Sequence, residues 1–415
     1  MAALDPRLAA ALDRVLDAAR SVSAQLYLVG GVPRDLLLGR RDPGSLREVD
    51  LTVTGGHAEL VADWPLTAGQ VVVHPRFGTR SWSDGAVRLD LVQARAEAYG
   101  HPGDLPTVRP GSLAEDLARR DFSVNAMAWG LAGADEGCLV DPHGGRADLA
   151  AGLLRALHDN SFLDDPTRVW RGLRYAHRLG FRLESRTASL LPASLRVMSG
   201  LSGRRLAAEL GHVWREPDPL GLLDAMARCG ALAAIHTGLR ATPEAARAAV
   251  EAIAAGADAD LVTAAFLLGQ SAEARGAAAA RLDLPGRLQV TIGRAGALLD
   301  AFAVGPPTDK MLVQFDRIGD TALQLLTWVA AGAAQDAAAI GPILARQREA
   351  AFFDGDDLLA LGLPQDASLG RILVALRAGQ LRGRLRSRAD GADALAALTA
   401  ASGRRILASG GSADA

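Results

Sequence analysis

Two carboxylates stand one residue apart in the run Glu48-Val49-Asp50-Leu51-Thr52-Val53. Side chains alternate along an extended strand, so Val49, Leu51 and Val53 share one face and Glu48, Asp50 and Thr52 the other. Neighbouring carboxylates repel unless a cation sits between them. Oxygen donors of this kind suit a divalent ion such as Mg²⁺, although a solvated strand face carries the same pattern. A third acid follows in Val87-Arg88-Leu89-Asp90-Leu91, where Asp90 points away from Val87, Leu89 and Leu91. Three acids on adjacent strands make a two-metal phosphoryl-transfer site; alternatively Arg88, on the same face, simply neutralises Asp90.

Groups able to meet a phosphate occur in three places. The run Leu28-Val29-Gly30-Gly31-Val32-Pro33-Arg34-Asp35 reads as a strand ending in two glycines, with Pro33 in the first turn of a helix that Gly39 closes. Gly30 and Gly31 let backbone N–H groups approach a phosphate, the helix N-terminus adds positive potential, and Arg34 supplies a bidentate contact. The plainer alternative is a strand–turn–helix with an exposed Arg34–Asp35 pair. Next, Ser112 and Glu115 form a capping box that starts a helix leading into Arg119-Arg120-Asp121-Phe122-Ser123-Val124-Asn125. An ordinary surface helix with ion pairs such as Asp116 with Arg120 fits that segment as well. In the third place Asp164 or Asp165 caps a helix, Pro166 occupies its first turn, and Arg168, Arg171 and Arg174 follow at three-residue spacing. Three aligned guanidinium groups repel one another unless an anion or acids lie opposite; the alternative is a solvated basic face.

The elements around these residues change character near residue 155. Before it, Leu26–Val29, Val49–Val53, Val71–Val73 and Val87–Val92 read as strands alternating with helical stretches. After it, Leu and Ala recur at helical spacing with few strand signals, and residues 240–350 are very rich in alanine. The expected fold is therefore α+β: a small mixed-sheet head over 1–155, then helices divided at 156–235, 236–345 and 346–415, with a frayed end from Gly403. A length of 415 residues, 49% apolar and 22% charged, suits several packed domains and excludes overall disorder. The net charge of -2 gives no bulk signal for nucleic acid, and Lys310 is the sole lysine among 45 basic residues. Five arginines, Arg377, Arg382, Arg384, Arg386 and Arg388, form a basic cluster that could grip an RNA backbone or be a solvated helix face. Two cysteines exclude a disulfide scaffold and a cysteine-rich zinc module, and fit a reducing cytoplasm. None of the eight histidines has metal-ligand spacing, no run of about 18 uncharged apolar residues suggests a membrane span, and charges at Asp5, Arg7, Asp13 and Arg14 argue against a secretory signal.

Taken in order, these motifs resemble the class II tRNA nucleotidyltransferases and bacterial poly(A) polymerases of the polymerase-β superfamily. The likeness runs through Gly30-Gly31-x-x-Arg34-Asp35, the acid-x-Asp strand at Glu48 and Asp50, Arg76-Phe77-Gly78-Thr79, and Asp90 with Ala94-Arg95-Ala96-Glu97-Ala98-Tyr99. It continues in Arg119-Arg120-Asp121-Phe122-Ser123-Val124-Asn125, Asp141-Pro142-His143-Gly144-Gly145 and Asp164-Asp165-Pro166-Thr167-Arg168 through Arg174. Glu48 stands where the family usually has Asp, and Pro33 where it has another residue.

The resemblance implies addition of C and/or A nucleotides to the 3′ end of tRNA from CTP and ATP with Mg²⁺, releasing pyrophosphate. It assigns Glu48, Asp50 and Asp90 to catalysis, the first two as metal ligands. Nucleotide binding falls to Gly31, Arg34, Arg120, Asp121 and Asn125, with Asp165 and Arg168 reading the base and Arg171 and Arg174 towards its phosphates. The segment Gly100–Gly111 is similar to a flexible loop shortened in relatives that stop at CC, which favours A addition. A poly(A) polymerase and a non-catalytic tRNA-binding relative are the alternatives, and a tRNA-binding role is expected for the tail. No histidine–aspartate phosphohydrolase domain is expected in the body.

Overall fold

The computed structural model describes residues 4–39, 46–62, 64–66, 68–74, 78–104, 106–305, 307–332 and 336–401. Arg76, Phe77 and the segment from Gly403 onward lie outside them. The chain divides into two compact units, Met1–Leu201 with Glu216–Met226, and Ser202–Arg215 with Ala227–Ala415. The stretch 156–235, expected as one domain, is thus shared between both.

In the first unit, α1 (Pro6–Ser21) starts at Asp5, whose carboxylate accepts from Arg7 N, with Pro6 in the first turn. Among the described residues eleven strands follow in chain order: β1 (Gln25–Val29), β2 (Glu48–Thr54), β3 (Gln70–His74), β4 (Thr79–Ser83), β5 (Arg88–Gln93), β6 (Arg95–Ala98), β7 (Thr107–Pro110), β8 (Ala128–Ala132), β9 (Leu139–Val140), β10 (Leu153–Leu154) and β11 (Arg182–Leu183). Seven form one mixed sheet, in the order β3-β4-β5-β2-β1-β8-β9, with β2 and β5 parallel. The sheet has two faces because its strands alternate. Leu26, Leu28, Val49, Leu51, Val53, Leu89 and Leu91 pack with Leu8, Leu12 and Val15 of α1. Tyr27 and Val29 point the other way, onto Leu117 and Ala128. That second face carries Glu48 and Asp50, as the alternation predicts; Thr52 shares it but is buried.

The helices that position the site are α2 (Gly31–Leu37), α3 (His57–Ala62), α4 (Leu113–Ala118), α5 (Gly145–Ala151), α6 (Ser161–Asp164) and α7 (Thr167–Leu179). α4 opens on the capping box read from the sequence: Ser112 Oγ accepts from Glu115 N while the Glu115 carboxylate accepts from Ser112 N. β6 and β7 pair as an antiparallel hairpin, Arg95 opposite Pro110 and Ala98 opposite Thr107, and the segment singled out between Gly100 and Gly111 takes in most of its connection together with the strand β7.

The second unit is helical, as expected. Its alanine-rich helix Pro243–Ala254 buries Ala245, Ala246, Ala248, Ala249 and Ala252, where small side chains allow close helix packing. The Trp214 and Phe266 rings pack tilted at 56° with centres 5.6 Å apart, and Trp214 Nε1 donates to Thr263 at 2.9 Å. Towards the C-terminus, Phe353, Leu358, Leu363, Ile372, Leu376 and Leu395 form a separate small core. The basic cluster is largely engaged within this unit: Arg377 pairs with Asp316 at 2.7 Å, Arg388 with Asp357 at 2.5 Å, and Arg382 with Asp309. Among the described residues no helix is long and apolar enough to cross a membrane.

Candidate active site

Strand pairing sets the acidic group. Asp50 lies beside Asp90 in the β2–β5 ladder, and Glu48 beside Arg88. With Gly31 and Asp35 they line a cavity of about 420 Å³. Gly30, at φ 75°, turns the chain from β1 into α2, and a Cβ there would lie 2.8 Å from Asp50 Oδ2. Glycine is therefore required twice over, for the backbone angle and for the carboxylate's seat. Asp50 is exposed as a residue, yet its carboxyl is held above the ordinary range by desolvation; Arg120 pulls it down, and Asp90 and Glu48 push it up. Glu48 and Asp50 are hard oxygen donors on one face, with room left by Gly30, and so fit a divalent cation. Asp90 is otherwise occupied: Arg88 Nε meets Oδ1 at 3.0 Å and Nη2 meets Oδ2 at 2.8 Å. Of the two readings of Asp90, neutralisation by Arg88 is the one present, and among the described residues no group of three His, Cys, Asp or Glu side chains is arranged to hold a metal ion.

Gly30→Ala is expected to cost about 1–3 kcal/mol, the usual penalty for a glycine-only conformation, and to displace the Asp50 carboxylate. Urea denaturation read together with Mn²⁺ binding checks both effects. Unchanged stability and unchanged Mn²⁺ affinity would contradict this account of the turn.

Above the acids lies a connected cationic network. Arg34 is buried, not exposed: it bridges both Asp35 oxygens at 2.9 and 3.0 Å and donates to Asn125 Oδ1 at 2.6 Å. Asn125 donates to Asp121 Oδ1 at 3.0 Å, and Asp121 Oδ2 accepts from Arg171 Nε at 2.9 Å and Nη2 at 2.7 Å. Arg171 Nη2 also donates to Tyr175 Oη at 3.0 Å. Arg120 pairs with Asp116 at 2.8 Å, so the i,i+4 ion pair foreseen for α4 forms, and Arg119 meets the other Asp116 oxygen at 2.7 Å. Arg120 Nε is buried with no partner.

Burial alone would raise the Asp116 and Asp121 carboxyls. Arg120 and Arg119 outweigh it at Asp116; the Arg171 charge and hydrogen bonds from Asn125 and Arg171 outweigh it at Asp121. Both end below 3.8, the ordinary value. Carboxyls depressed by folding stabilise the protein above their unfolded value, and that contribution disappears as pH falls through the folded one. The first unit is therefore expected to lose stability below about pH 4, and Asp116→Asn to flatten that acid limb. Circular dichroism during acid titration tests this; identical pH slopes in parent and variant would count against it.

α7 begins one residue later than the sequence suggests, at Thr167, and Asp165 Oδ1 accepts from Thr167 N at 3.1 Å and from its hydroxyl at 2.7 Å. Arg168 is buried and holds the surrounding chain, donating to Ser161 Oγ at 2.8 Å and to the Arg119 carbonyl at 2.5 Å. Arg171 turns to Asp121, whereas Arg174 donates to Glu216 at 3.1 Å. The arginine row does have acids opposite it, supplied by distant segments.

Two participants went unread in the sequence. Tyr175 has four guanidinium groups, from Arg34, Arg171, Arg174 and Arg178, at 5.0–5.6 Å from its ring centre. Burial, then the Asp121 charge, push its phenol up. Glu216 accepts from Arg174 and lies 3.7 Å from Arg178, while its Oε2 stays buried without a partner. Placement of Tyr175 within the arginine-bearing helix was a usable signal; Glu216 offered none locally.

The fold is a mixed-sheet head followed by helices, similar to that of CCA-adding enzymes of known structure. Residues 26–155 match the Poly A polymerase head domain. The A-adding tRNA nucleotidyltransferase of Halalkalibacterium halodurans is 42% identical over 217 residues, covering 50% of this chain and 49% of that protein. The chain thus spans about half the length of that relative. Among solved structures, an apo CCA-adding enzyme has a TM-score of 0.74 at 27% identity, covering 95% of this chain and 97% of the other. A Thermotoga maritima CCA-adding enzyme complexed with tRNA has a TM-score of 0.67 at 27% identity, with the same two coverages. The resemblance read from the sequence is borne out, as is the α+β head with its helical continuation.

Proposed function

We propose that the chain adds nucleotides to the 3′ end of tRNA from CTP and/or ATP, releasing pyrophosphate, in the cytoplasm. Asp50 carries the reading: its carboxylate is seated over Gly30, one strand from Asp90 and within the field of Arg120. Glu48 and Asp50 are the residues to hold a divalent ion, with Mg²⁺ the natural choice. Such an ion supplies charge neutralisation at the α-phosphate and lowers the pKa of the attacking 3′-hydroxyl. The chain's own part is positioning. Gly30 and Gly31 bring backbone close to the triphosphate. Arg120 offers fixed positive charge nearby, which favours the charge that develops on the phosphate oxygens.

Asp121 orients Asn125 and Arg171, and Arg34 braces Asn125 from the other side. We place Asn125 at the nucleotide sugar or phosphate, Arg171 and Arg174 towards its phosphates, and Asp165 at the base edge, with Arg168 both supporting that corner and completing the acid–arginine pair. Asp90 faces the same site with both of its oxygens held by Arg88. The A-adding relative and the CCA-adding structures support tRNA as acceptor, and the hairpin between Arg95 and Pro110 favours an enzyme able to add A. The test offers purified protein tRNA ending before CCA, after one C, and after CC, with each nucleotide. Addition of A to tRNA ending in CC, stopping after one, supports A addition; use of all three ends supports CCA addition. Long tails would point to a poly(A) polymerase, and no incorporation to a non-catalytic tRNA-binding relative.

A further inference from the structure

We infer that Arg88 is a resident counter-cation of the acidic group, which competes with a divalent ion for Asp90 and so sets the metal affinity of the head. This rests on the metal-site reading of Glu48 and Asp50 above. Three observations carry it. The guanidinium takes both Asp90 oxygens, through Nε at 3.0 Å and Nη2 at 2.8 Å, so neither is left as a strong free donor. Arg88 stands opposite Glu48 in the parallel ladder, with Asp90 opposite Asp50, which places one cation among three carboxylates. The side chain is 51% exposed while Asp90 is 18% exposed; Arg88 can leave to solvent, whereas the acid is fixed in the strand.

The charges sort the same way: Asp90, Glu48 and Asp50 all raise the Arg88 pKa, the Asp90 hydrogen bond most of all. Like-charge repulsion among three carboxylates is costly, and a cation supplied by the chain relieves it before any ion arrives. A bound ion then has to displace that cation or settle for Glu48 and Asp50. Arg88 acts here through the carboxylates and is a positioning residue.

The experiment titrates Mn²⁺ into the full chain without nucleotide, following free Mn²⁺ by electron paramagnetic resonance, for the parent, Arg88→Gln, Arg88→Lys and Asp50→Asn. Removing one positive charge a few ångströms from a divalent ion is expected to tighten Mn²⁺ binding about tenfold in Arg88→Gln, after allowance for salt screening. Arg88→Lys keeps the charge but loses the planar fork, and its affinity should fall between the two. It also decides the matter should Arg88→Gln not fold. Parent and both Arg88 variants binding equally, or the variants more weakly, overturns the inference alone. Parent binding that Asp50→Asn leaves unchanged overturns the metal-site reading and this inference with it.

Discussion

Asp50→Asn is expected to lower nucleotide incorporation about a thousandfold, since a metal ligand contributes several kcal/mol at about 1.4 kcal/mol per tenfold, while tRNA affinity stays nearly unchanged. The substitution removes a charge and one hard oxygen donor but keeps the side chain's size. It leaves Val49, Leu51 and Val53, and with them the strand, undisturbed in the core. Single-turnover incorporation measured beside tRNA binding separates the two effects. Glu48→Asp is expected to be tolerated, because Asp keeps the carboxylate on the same strand face and is usual there in the family this sequence resembles. Unchanged turnover in Asp50→Asn would remove the mechanism as stated.

Base choice should depend on Asp165 and Arg168. An ionised carboxylate only accepts hydrogen bonds and a guanidinium only donates them. Cytosine and adenine each present an amine donor beside a ring-nitrogen acceptor; uracil and guanine set a carbonyl where that amine would be. One acid–arginine pair therefore admits C and A and rejects U and G. Truncating either partner is expected to cost about 1–3 kcal/mol of discrimination, the penalty of an unpaired buried group. The two truncations differ otherwise. Asp165→Ala removes a local partner of Thr167 and should spare stability, whereas Arg168→Ala also strips Ser161 and the Arg119 carbonyl of their donor. Competition of UTP and GTP against ATP, read with thermal unfolding, tests the pair. Parental selectivity in both variants would leave Arg168 a structural strut and nothing more.

Local chemistry was legible; long-range chemistry was not. Alternation around Val49, Leu51 and Val53 announced β2 and the face carrying its acids, and the Ser112–Glu115 box announced α4. β4 was missed because Thr79-Arg80-Ser81-Trp82-Ser83 carries one apolar side chain, Trp82, which is buried. β8 hid behind Gly130, where a Cβ would come within 1.9 Å of the Asp135 carbonyl oxygen. The run Val71–Val73 reads as a strand and forms β3, but β3 is a sheet edge and its three valines are 39, 50 and 48% exposed. Sequence spacing aligned Arg168, Arg171 and Arg174, but their partners Asp121 and Glu216 stand 50 and 42 residues from the arginines they bind. No window of sequence shows such a pairing. The same holds for the C-terminal arginines, whose acids at Asp309 and Asp316 lie more than 60 positions away.

The activity proposed for this head is transfer of a nucleotide to an RNA 3′-hydroxyl. Its most direct test incubates the protein with Mg²⁺, labelled ATP and tRNA ending in CC, and counts label incorporated against pyrophosphate released. The account predicts equal amounts of both, loss of both with a tRNA lacking the terminal 3′-hydroxyl, and loss of both in Asp50→Asn. Label that fails to enter tRNA under these conditions, or release of inorganic phosphate and ADP in place of pyrophosphate, would contradict it.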